Sequence, residues 1–211
     1  MEIRWLGQSC LVVTSGPHDV YFEPFPGLTH PGAKEDGSTV VTFSHAGVMR
    51  QHRQEWGKNA HLLEGPGEYE IAALALRGIP TPITGRDGSR GINTVYVLEA
   101  EGVSVCHLGT LSGTLSTQAL QAIGNVDVLL VPAGGPGILP VDAAAAVVRA
   151  VEPDIVVPMH YVAGSANDGM GPIPQMIKEL GITPPEPLPR LNVTRSNLPE
   201  EMKVVLLRPV P

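Results

Sequence analysis

The first half of the chain alternates short apolar or β-branched runs with glycine and proline. Ile3 to Leu6, Cys10 to Thr14 and Val20 to Phe22 read as strands, separated by turns at Gly7-Gln8-Ser9 and Ser15-Gly16-Pro17. A loop marked by Pro24, Pro26, Gly27, Pro31 and Gly32 leads to a fourth strand, Val40 to Phe43, which ends at Ser44-His45. Val48 to Glu55 is polar and basic and reads as one or two exposed helical turns. Ala60 to Leu63, Tyr69 to Ile71 and Leu74 to Gly78 continue the strands, and Pro80 to Gly91 reads as a loop. Thr94 to Glu99 and Val103 to His107 flank Glu101-Gly102, a hairpin signal.

The rhythm then changes to strand and helix in turn. Ser116 is placed to cap a helix carrying Ala119, Leu120 and Ile123 on one face, with Gly124 as its stop. Val126 to Val131 is a buried strand, and Gly134-Gly135-Pro136-Gly137 after it reads as a tight turn, lacking the Lys-Ser/Thr of a phosphate loop. Asp142 is placed to cap an Ala-rich helix bearing Ala144, Val147, Val148 and Val151. Ile155 to Pro158 forms a strand leading to Met159-His160. A last helix carries Ile173, Met176, Ile177 and Leu180, with Pro172 and Pro174 at its start and Gly181 at its end. Leu191 to Val193 and Val204 to Leu207 close the pattern as strands. Strands alternating with helices imply parallel pairing. The whole predicts an α/β chain folded as a four-layer αββα sandwich, two mixed sheets flanked by helices, in a single domain over residues 1–211.

Composition narrows the function classes. The 211 residues are 43% apolar, enough for one sizeable core, and the net charge of −7 opposes a nucleic-acid binder, which needs a basic face. No apolar run approaches a membrane span and Met1-Glu2-Ile3-Arg4 opens without a leader pattern, so a cytoplasmic protein with no membrane partner is expected. The two cysteines, Cys10 and Cys106, lie in apolar runs and are expected as buried thiols. A charge-poor chain is also compatible with a homo-oligomer.

Several motifs, in order, resemble one family. Trp5-Leu6-Gly7-Gln8-Ser9-Cys10 resembles WLGHSC, Glu23-Pro24-Phe25 resembles DPF, and residues 65–71 resemble PGEYEI. Residues 90–96 resemble RGxNTxY, residues 106–109 the start of CHLGD, and residues 158–161 PMHY. These are motifs of metallo-β-lactamase-fold proteins in the ascorbate-6-phosphate lactonase-like branch. The resemblance implies two sheets between helices, with one or two metals at a shared rim. It also implies their ligands: HxHxDH after a strand, a further His, a bridging Asp and a last His, a set that suits zinc or manganese and acidifies bound water.

This chain departs from that set. His45 matches the first His of HxHxDH, but Gly47, Met49 and Arg50 stand at the other three positions. The further His is missing from the stretch Gly78-Ile79-Pro80-Thr81-Pro82-Ile83, Thr110 stands for the bridging Asp, and Gln8 for the His of the opening motif. Only His45 and His160 remain, and the resemblance assigns them to different metals. The expectation is therefore a scaffold that has lost most of its metal ligands, is not a hydrolase, needs no cofactor, and acts by binding or scaffolding. Arg50 with His52 is the candidate group for a small anionic ligand where the cation once sat. The alternative is a metal-dependent hydrolase of a small lactone, ester or phosphorylated metabolite, with zinc or manganese rebuilt around His45 and His160.

Overall fold

A computed structural model describes residues 1–30, 32–35, 38–46, 55–84, 90–133, 139–161 and 173–210. The first sheet has the order β12-β1-β2-β3-β4-β5 and the second β13-β11-β10-β9-β8-β7-β6. The first contains β1 (Glu2–Gly7), β2 (Cys10–Ser15), β3 (His18–Phe22), β4 (Thr39–Phe43), β5 (His61–Glu64) and β12 (Leu191–Asn192). The second contains β6 (Gly67–Ile71), β7 (Leu74–Thr84), β8 (Arg90–Ala100), β9 (Val103–His107), β10 (Val128–Pro132), β11 (Ile155–Met159) and β13 (Lys203–Val204). Both sheets are mixed. β3, β4 and β5 run parallel in the first, and β9, β10, β11 and β13 in the second. The apolar alternation along β1 to β3 turns Ile3, Trp5, Leu11, Val13, Val20 and Phe22 into one core shared with Leu76, Val95, Val97 and Val105 of the second sheet. The opposite face of the first sheet buries Val12, Tyr21, Val41 and Phe43 beneath Trp56, at the described end of a helical turn.

Among the described residues, three helices lie outside the second sheet: α1 (Thr117–Ile123) against β7, α2 (Val141–Val151) against β10, and α3 (Ile173–Leu180) against α2. Ser116 caps α1 as expected, its hydroxyl accepting from the Ala119 N–H, and Gly124 ends it at φ 70°. α2 departs from the expectation. It begins at Val141 after Pro140, and Asp142 lies inside the first turn, where its charge meets the positive end of the helix without capping it.

The expected loop from Pro80 to Gly91 is largely strand. β7 and β8 continue to Thr84 and from Arg90, and the six residue pairs from Ile79↔Val95 to Thr84↔Arg90 stand beyond the last residue of β6 paired to β7, Gly67↔Gly78. Pro80 and Pro82 are two apart, so their missing N–H groups fall on the same side. The outer side of β7 is an edge there, and a proline costs no ladder bond at an edge. The expected strand Val204 to Leu207 is shorter, because the chain leaves β11 after Val205 and Leu207 bridges to Leu188. The predicted segment Val48 to Glu55, apart from Glu55, and the predicted turn at residues 134–137 lie outside the described residues, as does Pro172. No helix among the described residues is long and apolar enough to cross a membrane.

Candidate functional site

The C-terminal ends of β4, β9 and β11 meet the β1–β2 turn and the residue after β3 at one rim of the sandwich. Parallel strands bring their C-terminal ends to the same edge, so each strand delivers the residue just past its end to one place. β4 delivers Ser44 and His45, β9 delivers Leu108 to Thr110, and β11 delivers His160. Gln8 and Ser9 come from the turn and Glu23 from the end of β3. Three rim residues, Gln8, Glu23 and His160, hold left-handed backbone at φ 48°, 49° and 58°. Side chains rarely adopt that region, and it concentrates where a structure must aim a group.

His45 is half-buried, and burial holds its pKa below the ordinary imidazole value, which favours the neutral ring. The Thr110 hydroxyl oxygen lies 3.0 Å from its Nε2 and 3.2 Å from its Nδ1. Near-equal distances put that oxygen off both lone-pair axes. Ser44 Oγ lies 3.3 Å from Nδ1. Thr110 is itself fixed from behind, because its N–H donates to Asn93 Oδ1 at 2.8 Å. Asn93 is fully buried and donates from Nδ2 to Thr81 Oγ1 at 2.9 Å and to the Leu108 carbonyl at 3.1 Å. Gly109 permits this approach. It sits at φ 63°, and a Cβ there would lie 2.6 Å from Ser44 Cβ and closer still to Asn93 Oδ1.

His160 is held at the other side of the rim. Its Nδ1 lies 2.9 Å from Ser9 Oγ, and its backbone N–H donates to the Gln8 carbonyl at 2.8 Å. Burial lowers its pKa as well. Tyr161 stacks on Trp5 at 4.6 Å between centroids, anchoring the chain just beyond.

His107 joins the two sides. Its Nε2 lies 2.9 Å from the Ser9 carbonyl oxygen, to which it donates, and its Nδ1 accepts from the Gly109 N–H at 3.0 Å. Those two bonds fix the tautomer and require the neutral ring. Burial agrees, taking the pKa down to about 4. The ring stacks on Phe22 at 5.0 Å. One run of contacts therefore leads from His160 through Ser9, His107, Gly109 and Thr110 to His45.

Glu23 is the unexpected member. Its carboxylate accepts the Ser44 N–H, and its own N–H donates to the Thr42 carbonyl at 3.0 Å. Burial raises its pKa from 4.5 to about 7, against the lowering effect of the Ser44 hydrogen bonds. The sequence marks Glu23 only through its likeness to DPF. Asn93 is marked only as the Asn of the RGxNTxY likeness, just before the predicted strand from Thr94.

His45 and His160 thus both reach the rim, while Arg50 and His52 lie outside the described residues. A zinc or manganese site wants three or four converging donors. No group of three or more His, Cys, Asp or Glu among the described residues could hold a metal ion, and Glu23 is engaged with Ser44. The described residues do not fit a dinuclear centre.

The model of the beta-lactamase superfamily domain matches residues 2–160. The chain belongs to that family. It is similar to a UPF0173 protein of Pyrococcus furiosus, 26% identical in an alignment 192 positions long that covers 80% of this chain and 87% of the relative. It is also similar to a UPF0173 metal-dependent hydrolase of Thermoplasma acidophilum, 25% identical in an alignment 187 positions long that covers 76% of this chain and 83% of the relative. Among solved structures, a candidate Zn-dependent hydrolase of the metallo-β-lactamase superfamily from Thermotoga maritima matches with TM-score 0.78 at 29% identity, over 98% of this chain and 97% of that one. The two mixed sheets and three helices are those of the metallo-β-lactamase fold.

Proposed function

We propose that this member of the beta-lactamase superfamily binds a small anionic metabolite at the rim and does not activate water on a metal pair. The observation that carries the reading is Thr110. Where the family resemblance calls for a bridging carboxylate, a neutral hydroxyl stands 3.0 Å from His45 Nε2. A hydroxyl neither balances the charge of two cations nor bridges them readily, so the site loses affinity at its centre. Gly47, Met49 and Arg50 at three further ligand positions act in the same direction, and Arg50 repels a cation outright. On the sequence alone, Arg50 and His52, outside the described residues, are the candidates to meet an anion such as a phosphate or carboxylate.

The names of the relatives favour a second reading, a metal-dependent hydrolase of a small lactone, ester or phosphorylated metabolite. One local feature supports it. Ser9 engages His160 at Nδ1 and leaves Nε2 for a ligand, the division of labour usual in metal-binding histidines.

Protein purified without chelators, assayed for metal and then for hydrolysis with added zinc or manganese, separates the two. Substoichiometric metal and no turnover support the binder. A stoichiometric transition metal, with turnover lost in His45→Ala and His160→Ala, establishes the hydrolase. For the binder, calorimetry with glucose 6-phosphate gives a saturable heat that Arg50→Ala abolishes. Identical flat traces for both proteins overturn the assignment of Arg50.

A further inference from the structure

The edge of the second sheet carries a device that the rim does not use. Past Gly78, β7 loses β6 as its neighbour, and no other strand among the described residues takes its place. Residues 79–84 stay paired to β8 alone. At roughly 3.4 Å per residue that bare edge runs about 20 Å, the length of an ordinary strand. None of its side chains is charged, and Ile92, opposite Pro82 on β8, is 56% exposed. A long uncharged edge beside exposed apolar surface is a template for a strand of another molecule.

The direction of the main chain decides which residues such a strand would meet. Along an antiparallel pair, residues alternately turn their N–H and C=O toward the partner strand and away from it. Thr94, opposite Pro80, donates its N–H to the Ser44 carbonyl at 2.8 Å and not to β7. Pro80 and Thr94 therefore form a non-hydrogen-bonded pair, and Pro80 turns its main chain outward. The same alternation turns Pro82 and Thr84 outward. Two of these three positions are prolines, which offer a carbonyl and no N–H. Thr84, at the far end, keeps its donor. An arriving strand would find no donor for two of its carbonyls and would meet two rings instead. β6, the edge before this point, is guarded by other means, since its Glu68 and Glu70 are exposed charges. Prolines take over from carboxylates where β6 ends.

We infer that Pro80 and Pro82 keep this edge from pairing with a second copy of the chain. Two copies related by a two-fold axis would lay one bare edge antiparallel to the other, and each would present the same two missing donors to its partner. With both N–H groups restored, the edge would hold a full set of ladder donors and acceptors and no charge to oppose pairing.

The mass of the folded protein in solution, by light scattering after size exclusion and by sedimentation equilibrium, tests this. Wild type sets the reference mass, whatever assembly it forms through other surfaces. Pro80→Thr combined with Pro82→Thr restores both donors, and its mass should climb toward twice the reference as concentration rises. Pro82→Thr alone restores one donor and should associate roughly tenfold more weakly than the double variant. Pro80→Thr combined with Pro82→Lys restores both donors but sets a charge on the edge, and should stay at the reference mass. Circular dichroism checks the fold of each, and the single variant decides the matter if the double one does not fold. A folded double variant at the reference mass at every concentration overturns the inference, as does a single variant at that mass where it decides. So does equal association of the lysine variant, since loosened folding and not edge pairing would then be the cause.

Discussion

Replacing Glu23 by glutamine should reshape the pH dependence of stability. The Glu23 carboxyl titrates at about 7 in the folded chain, against 4.5 ordinarily, because burial disfavours its charge more than the Ser44 hydrogen bonds favour it. A carboxyl with a raised folded pKa binds its proton more tightly folded than unfolded. The fold therefore suffers no penalty below about pH 4.5, loses stability as pH rises, and reaches the full penalty above about pH 7. At 1.36 kcal/mol per unit, the span amounts to about 3 kcal/mol. His107 acts in the opposite sense. Its folded pKa of about 4 means the neutral ring is favoured, so its contribution is complete above the ordinary imidazole pKa and fades as pH falls toward 4. The wild-type curve is the sum of the two, and Glu23→Gln isolates the first. The glutamine side chain still offers an oxygen to the Ser44 N–H and carries no charge. Urea unfolding at half-unit steps from pH 4.5 to 7.5 gives the difference between the two proteins. It should move in favour of Glu23→Gln by up to about 3 kcal/mol as pH rises. A constant difference across that window would show that Glu23 does not titrate there, and the burial argument would fail.

Gly109→Ala forces a Cβ against Ser44 and Asn93 at a left-handed backbone position, and should cost about 2–4 kcal/mol by thermal or urea unfolding. Its His45 ring signals in NMR should shift as well, since Thr110 moves with residue 109. His107→Phe keeps the stacking on Phe22 but strands the Ser9 carbonyl and the Gly109 N–H, for a loss of about 2–4 kcal/mol. Cys10 and Cys106 are buried with thiol pKa values pushed up, the second to about 12, so neither should react with a chromogenic disulfide reagent before urea opens the fold.

The strands were legible where a β-branched run met a glycine or proline break. β9, β4 and the Glu101-Gly102 hairpin were of this kind. β7 was not legible beyond Gly78, because Pro80 and Pro82 punctuate a loop and an edge strand alike, and only the sheet's outer neighbour decides between them. Asp142 was misread as a cap because an acidic residue in the first turn of a helix stands only two positions from the cap, here Pro140, and both positions favour acidic side chains. At the rim, His45 and His160 were found through their strand-end positions. The protonation of Glu23 and the two-ended grip of His107 were not, since both depend on groups 21 and 98 residues away in the chain.

The grip of His107 has a further consequence. Because that ring clamps the turn of one sheet to the strand end of the other, the two sheets are tied together at the rim by hydrogen bonds between protein groups. Side chains that point away from this clamp can be exchanged without breaking it. An engineer wishing to place a carboxylate at position 110 would begin from a bracket already in place.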